Sequence, residues 1–318
     1  MNYSEVFSKA WKIVWKFKAL WIFGIFSSCA RLNSGGGGGS SGGGGGSSHL
    51  INSGGVFAFP NVVLPKQVFQ WYLQFQNAWD TEPWGVFLIL LAVFFVVMAL
   101  VVLSLFLGVL GRVGVARGAW LADDGEEKLN FSRIYNESKP YFWRVFLFFL
   151  LLFAASIAIG GLVAIPLLLV IVFTLGFGLL FLIPLLIVVS FAVKILIEQT
   201  IVAIVGEDLG VFAAIERAWK LLVEKPWPQV VVGLATSIGE MAVMFVLIIP
   251  IFLISIFFQT DAVIGVGAII SGAGFVLYLP VMILASGILY TYIGSVWALT
   301  FKRLTQPLVP AVVEVVAE

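Results

Sequence analysis

The sequence predicts an all-α integral membrane protein with about six transmembrane helices. They are arranged as three hairpins, each preceded by a cytoplasmic amphipathic interfacial helix. Three observations predict this. Charged residues make up 11% of the chain and hydrophobic residues 61%, whereas ordinary soluble domains are about 25% charged; the mean hydropathy is +1.09. Val145 to Val193 carries no charge; as one helix it would be more than twice as long as a hydrocarbon core about 30 Å thick, so it must fold back. With six crossings, all 18 Lys and Arg except Arg31 and Lys66 fall on the side of the termini, which the distribution of basic residues assigns to the cytoplasm of a cell membrane.

The elements follow in order. Residues 1–18 form the first interfacial helix, with Val6, Phe7, Ala10, Ile13, Val14 and Phe17 on one stripe and Lys9, Lys12 and Lys16 opposite. Trp11, Trp15 and Trp21 suit the headgroup level. Span 1, residues 19–32, is short for the about 20 residues a crossing needs. The same region, with Lys9 to Lys18 before an apolar stretch and Ser27-Ser28-Cys29-Ala30 after it, also has the layout of a cleaved signal with a lipoprotein-like cysteine. The length and amphipathicity of its basic part favour a retained span.

Residues 33–82 form an extracytoplasmic segment. Gly35 to Ser48 is a flexible linker by composition, and no Gly-Lys-Ser/Thr follows it, so it lacks the pattern of a phosphate-binding loop. Leu64 to Trp79, rich in Gln and aromatic residues, reads as a second kind of interfacial helix or an aromatic-anchored loop. Span 2 is residues 83–110, followed by a cytoplasmic segment, 111–144, in which Asn130 to Trp143 repeats the amphipathic pattern and ends at Lys139-Pro140. Residues 145–193 are spans 3 and 4, with the turn at Phe173 to Gly178 and kinks at Pro166 and Pro184. The cytoplasmic segment 194–228 holds the clearest amphipathic copy, VFAAIERAWKLLVEKPW from Val211 to Trp227, ended by Lys225-Pro226. Span 5 is 229–258, and Gln259-Thr260-Asp261 is a polar turn. Residues 262–301 contain a glycine-rich lead-in and a kinked span 6, and 302–318 is a tail.

Composition also excludes function classes. A net charge of +1 gives no bulk attraction to nucleic acid. Cys29 is the single cysteine, so there is no intramolecular disulfide and no Cys-cluster metal site. His49 is the single histidine and sits beside the glycine-rich stretch, so no Ser/His/Asp set is available. No catalytic, cofactor-binding or metal-binding residues are expected, and the chain reads as a non-enzyme without cofactors.

One residue stands out. Glu240 lies about ten residues into span 5, where an acidic side chain costs on the order of 2.5–3.5 kcal/mol. Lys194, at the inner end of span 4, is the basic partner within reach, and Thr236 and Ser237 lie one turn away. The residues serve either a structural polar contact between helices or a proton- or substrate-linked site in a small-molecule or lipid carrier; the structural reading is favoured. Asp123 to Glu127 reads as a solvated loop rather than a cation site. Gly160-Gly161, the Gly233/Ser237 pair and the glycines from 265 to 274 offer close helix approach.

FSKAWKIVWKFKALWIFG near the N-terminus and GEDLGVFAAIERAWKLL entering span 5 resemble the bacterial polytopic proteins grouped with the membrane domain of glycerophosphoryl diester phosphodiesterases. The resemblance implies a membrane architecture covering most of the chain. Enzymes of that family carry a separate soluble catalytic barrel with acidic and histidine residues, and this sequence has no such segment, so the resemblance implies no activity. The expectation is a structural or accessory component of the cell membrane. Its partners are the bilayer, anionic lipids at the interfacial helices, and a membrane protein or a second copy of the chain.

Overall fold

The computed structural model describes residues 2–33, 83–174, 177–258 and 264–305. Within them the chain is helical, without strands: α1 (Tyr3–Lys16), α2 (Ala19–Asn33), α3 (Pro83–Asp123), α4 (Phe131–Phe173), α5 (Leu179–Gly206), α6 (Val211–Glu224), α7 (Pro226–Phe258) and α8 (Ile264–Thr305). Five of these, α3, α4, α5, α7 and α8, are long and apolar enough to cross a membrane, and the protein is a multi-pass membrane protein. The apolar part of α2 is shorter, Ala19–Ser28. The glycine-rich linker, His49, the stretch 64–79, the turn at 259–261 and the tail lie outside the described residues.

The chain divides into two units, residues 32–104 and the remainder. In the larger unit the buried core gathers at the ends of the helices that carry the basic residues. It draws on Val6 to Phe23, Val109 to Trp120, Ile134 to Phe148, Ile195 to Val205 and Leu289 to Leu304. The opposite halves of α4, α5, α7 and α8 are apolar and exposed: Leu162, Phe181, Phe245 and Leu277 are 77%, 85%, 68% and 77% accessible. Apolar surface on that scale is stable only in contact with lipid or another protein.

Glycines set the closest packing. An ideal Cβ on Gly24 of α2 would lie 2.0 Å from the Gly287 carbonyl oxygen and 2.1 Å from Thr291 Oγ1, both on α8. On the other side of α2, Gly111, Gly114 and Gly118 of α3 face the Ser27 nitrogen and the Phe23 and Leu20 side chains at 2.2–2.3 Å from an added Cβ. The short helix α2 is therefore wedged between α3 and α8 at backbone distance. Thr291 fixes the register by donating to the carbonyls of Leu20 (3.0 Å) and Gly287 (2.8 Å). Small residues and interhelical hydrogen bonds are what hold helices together where lipid removes the hydrophobic drive.

Several expectations need correcting. The amphipathic stretch at 131–143 is not a separate helix ended by Lys139-Pro140. It is the first part of α4, which runs unbroken through Pro140 and Pro166. A helical proline removes one backbone donor, and on an exposed face that loss is tolerated. Residues 111–123, read as the start of the segment after span 2, are the last turns of α3 and contribute to the core. The last span is one continuous helix from Ile264, without a separate lead-in. The apolar stripe of α1 (Val6, Ala10, Ile13, Val14) is buried and joins the core, with α1 packed on α8, so protein and not the bilayer covers it. Among the described residues, Gly160 and Gly161 meet nothing within 4 Å and make no close approach.

These contacts make glycine substitutions unequal. Gly24→Ala and Gly111→Ala must displace backbone atoms, and each is expected to lower stability by about 1–3 kcal/mol. Gly160→Ala enters open space in a helix and is expected to be neutral or stabilising by up to about 1 kcal/mol. Thermal denaturation of the three variants in one detergent checks the ranking.

Candidate functional site

Two polar groupings sit among the apolar helices. The first joins α5 to α7. Gly233 lets α5 approach, because an added Cβ would meet Phe191 and Ile195 at 3.0 and 3.2 Å. Ser237 and Glu240 follow Gly233 by one and two turns of α7, and Lys194 lies between Phe191 and Ile195 in sequence. The structure brings Lys194 and Glu240 together. Lys194 Nζ donates to Glu240 Oε2 at 2.9 Å and to Ser237 Oγ at 3.1 Å. Thr236 takes no part; its hydroxyl donates to the Val232 and Gly233 carbonyls of its own helix. The pair is shielded without being sealed, with 33% of the Lys194 side chain and 19% of the Glu240 side chain accessible. A charge set among apolar helices is retained when a partner neutralises it.

The second grouping was not foreseen. Arg112, Glu198, Tyr290 and Ser27 line a cavity of about 20 Å³ between α2, α3, α5 and α8, closed by Val115, Ala116 and Gly294 among others. That volume admits about one water molecule. The Arg112 guanidinium lies 4.7 Å over the Phe149 ring. Both charges fall in stretches that sequence reasoning assigned to the cytoplasm. A signal for them existed: Arg112 sits inside the glycine spacing GRVGVARG, and Glu198 is one helical turn beyond Lys194.

In the acidic cluster at 123–127, Asp124 and Glu127 are exposed in a turn, as a solvated loop requires, but Asp123 is held by protein. Asp123, with 7% of its side chain accessible, contacts Lys9 of α1 and Lys302 of α8, the latter at 2.9 Å. Lys302 also reaches Asp124 at 2.5 Å, Arg303 reaches Glu5 at 3.2 Å, and Arg133 reaches Glu126 at 2.5 Å. These charges clamp the ends of α1, α3 and α8. Arg117 with Glu137 at 2.9 Å ties α3 to α4, and Arg144 with Asp208 at 2.6 Å ties α4 to the α5–α6 connection. The lysine of the Lys225-Pro226 junction donates to the Leu304 carbonyl at 2.9 Å, covering one of the carbonyls left open at the end of α8. Among the described residues, no group of three or more His, Cys, Asp and Glu has the arrangement to hold a metal ion.

If the Lys194–Glu240 contact holds helices together, the two side chains must be energetically coupled. Lys194→Met and Glu240→Met are each expected to destabilise the protein more than the double variant does, because each single change takes the opposite charge away from the side chain that remains. The coupling is expected at about 0.5–3 kcal/mol in a double-mutant cycle of detergent thermostability. Additive effects would remove the structural role.

No protein-family model, curated protein or solved structure matches the chain.

Proposed function

We propose that this chain is a non-enzymatic structural or accessory component of the cell membrane. It crosses six times as three hairpins with both termini cytoplasmic, α2 making the first crossing. The observation that carries this reading is the Lys194–Glu240 contact: two opposite charges face each other across α5 and α7 at 2.9 Å, as they do when they join helices. The apolar outer halves of α4 and α5 then serve as surface for lipid and for a membrane protein or a second copy of the chain. Exposed Trp11 and Trp15 beside the exposed Lys12, Lys16 and Lys18 suit anionic headgroups at the inner face. The resemblance to the phosphodiesterase membrane-domain group agrees with a membrane role without catalysis.

Topology is tested in a Cys29→Ala background. A membrane-impermeant maleimide applied to intact cells is expected to label Thr174→Cys and to leave Glu127→Cys unlabelled until the cells are opened; the reverse would sink the orientation. The accessory role is tested by photo-crosslinking from position 162 or 181 in native membranes. A discrete protein adduct, either a second copy or one defined partner, is expected. Exclusively lipid adducts, together with substrate movement lost in Glu240→Gln, would favour a carrier instead.

A further inference from the structure

We propose that the groove between α3 and α4 is a binding site for one anionic glycerophospholipid of the inner leaflet. This rests on the reading that α3 and α4 cross the bilayer. The groove has a volume of about 640 Å³ and is lined by Phe106, Leu107, Leu110, Tyr135, Asn136, Lys139, Pro140, Phe142 and Trp143, a size and an apolar lining typical of small-molecule sites. Its two ends differ in chemistry. Tyr135, Asn136 and Lys139 stand on the part of α4 nearest the charged clamp, whereas Phe106 and Trp143 lie towards the apolar halves of their helices. Phe106, Phe142 and Phe146 stack at 5.1–6.1 Å and leave an aromatic wall. A molecule with a polar head and an apolar chain matches that gradient.

The polar end selects the head. Arg117 of α3 and Arg133 and Arg144 of α4 each have a carboxylate partner. Lys139 is exposed and has no carboxylate partner among the described residues, so its ammonium is available to a phosphate. Pro140 has no N–H, which leaves the Asn136 carbonyl without the donor at i+4 that a helix normally supplies. A donor and an acceptor side by side fit a phosphate that carries a hydroxylated substituent, as in phosphatidylglycerol. A zwitterionic choline head offers no hydroxyl and places a second cation beside Lys139.

The test uses the purified full chain in vesicles of phosphatidylcholine containing a minor fraction of either dibrominated phosphatidylglycerol or dibrominated phosphatidylcholine, with the Trp143→Phe variant isolating the Trp143 signal. Trp143 is expected to be quenched more strongly by brominated phosphatidylglycerol. Lys139→Gln is expected to weaken that preference about fivefold, the size of one basic residue at an anionic surface, while Lys139→Arg retains it. Equal quenching by both lipids would overturn the site and leave the membrane reading standing. Absence of quenching by either would overturn the crossing of α4 and the site with it. Loss of the preference on adding inorganic phosphate at constant ionic strength would identify a free-anion site and overturn the lipid. Detergent thermostability of Lys139→Gln equal to that of the parent separates lost binding from misfolding.

Discussion

The backbone contact between Gly24 of α2 and Gly287 of α8 is the constraint on which the larger unit depends. Helices in lipid gain little from excluding water, so their association relies on close dispersion contact and on hydrogen bonds that lipid cannot supply. Glycine on both helices lets a carbonyl occupy the space of a Cβ, and Thr291 then reaches across to Leu20. The same short helix presents its other side to the glycines of α3. Fixing α2 in this way also places α1, since Phe17 and Lys18 alone separate them. With α1 laid on α8, Glu5 and Lys9 come within reach of Arg303 and Asp123.

The charges divide by the work their surroundings allow. Glu216 and Lys220 form an i,i+4 pair at 2.7 Å with both side chains at least 60% accessible; water screens such a pair, and it contributes little. Asp123 is different. Its carboxylate is nearly covered and meets two lysines from two helices, so removing either lysine leaves it partly uncompensated. Lys302 adds a second carboxylate and the Trp120 ring at 5.2 Å. The ends of α1, α3 and α8 are thus joined by a network, and networks hold geometry better than isolated surface pairs.

Much of this was legible in the sequence where the physics is one-dimensional. A charge-free run too long for one crossing must reverse, and α4 ends at Phe173 and α5 begins at Leu179, where Thr174 and the glycines stand. Charges in apolar runs are rare enough that Glu240 and Lys194 single each other out. What failed was partner identity. An apolar stripe such as that of α1 reads the same whether lipid or protein covers it. Glycines read alike too: Gly160-Gly161 and Gly24 each follow an apolar residue in a helix, yet only Gly24 faces another backbone. Pro140 looked like a helix end because proline usually is one, and only three-dimensional context shows that its exposed position tolerates the missing donor. Arg112 and Glu198 escaped notice because each sits where a span was thought to have ended.

The position of the Lys194–Glu240 contact follows from the same division. Along α5, Val189 and Val193 are 49% and 44% accessible, whereas Ile195 is 1% and Ile201 2% accessible. Lys194 stands at that boundary. Farther into the core a lysine would lose its water without an open path to a carboxylate, and farther out it would face lipid with no helix close enough to supply one. At the boundary α7 is still near, because Gly233 permits it, and one turn of separation from Gly233 to Ser237 and another to Glu240 carries the carboxylate to the ammonium. Beyond this point α5 has exposed apolar side chains, so the ion pair marks where packing of α5 on the core gives way to surface that lipid or a partner must cover. A polar contact placed there sets how far along the membrane the two helices stay joined, which a contact within the core could not do.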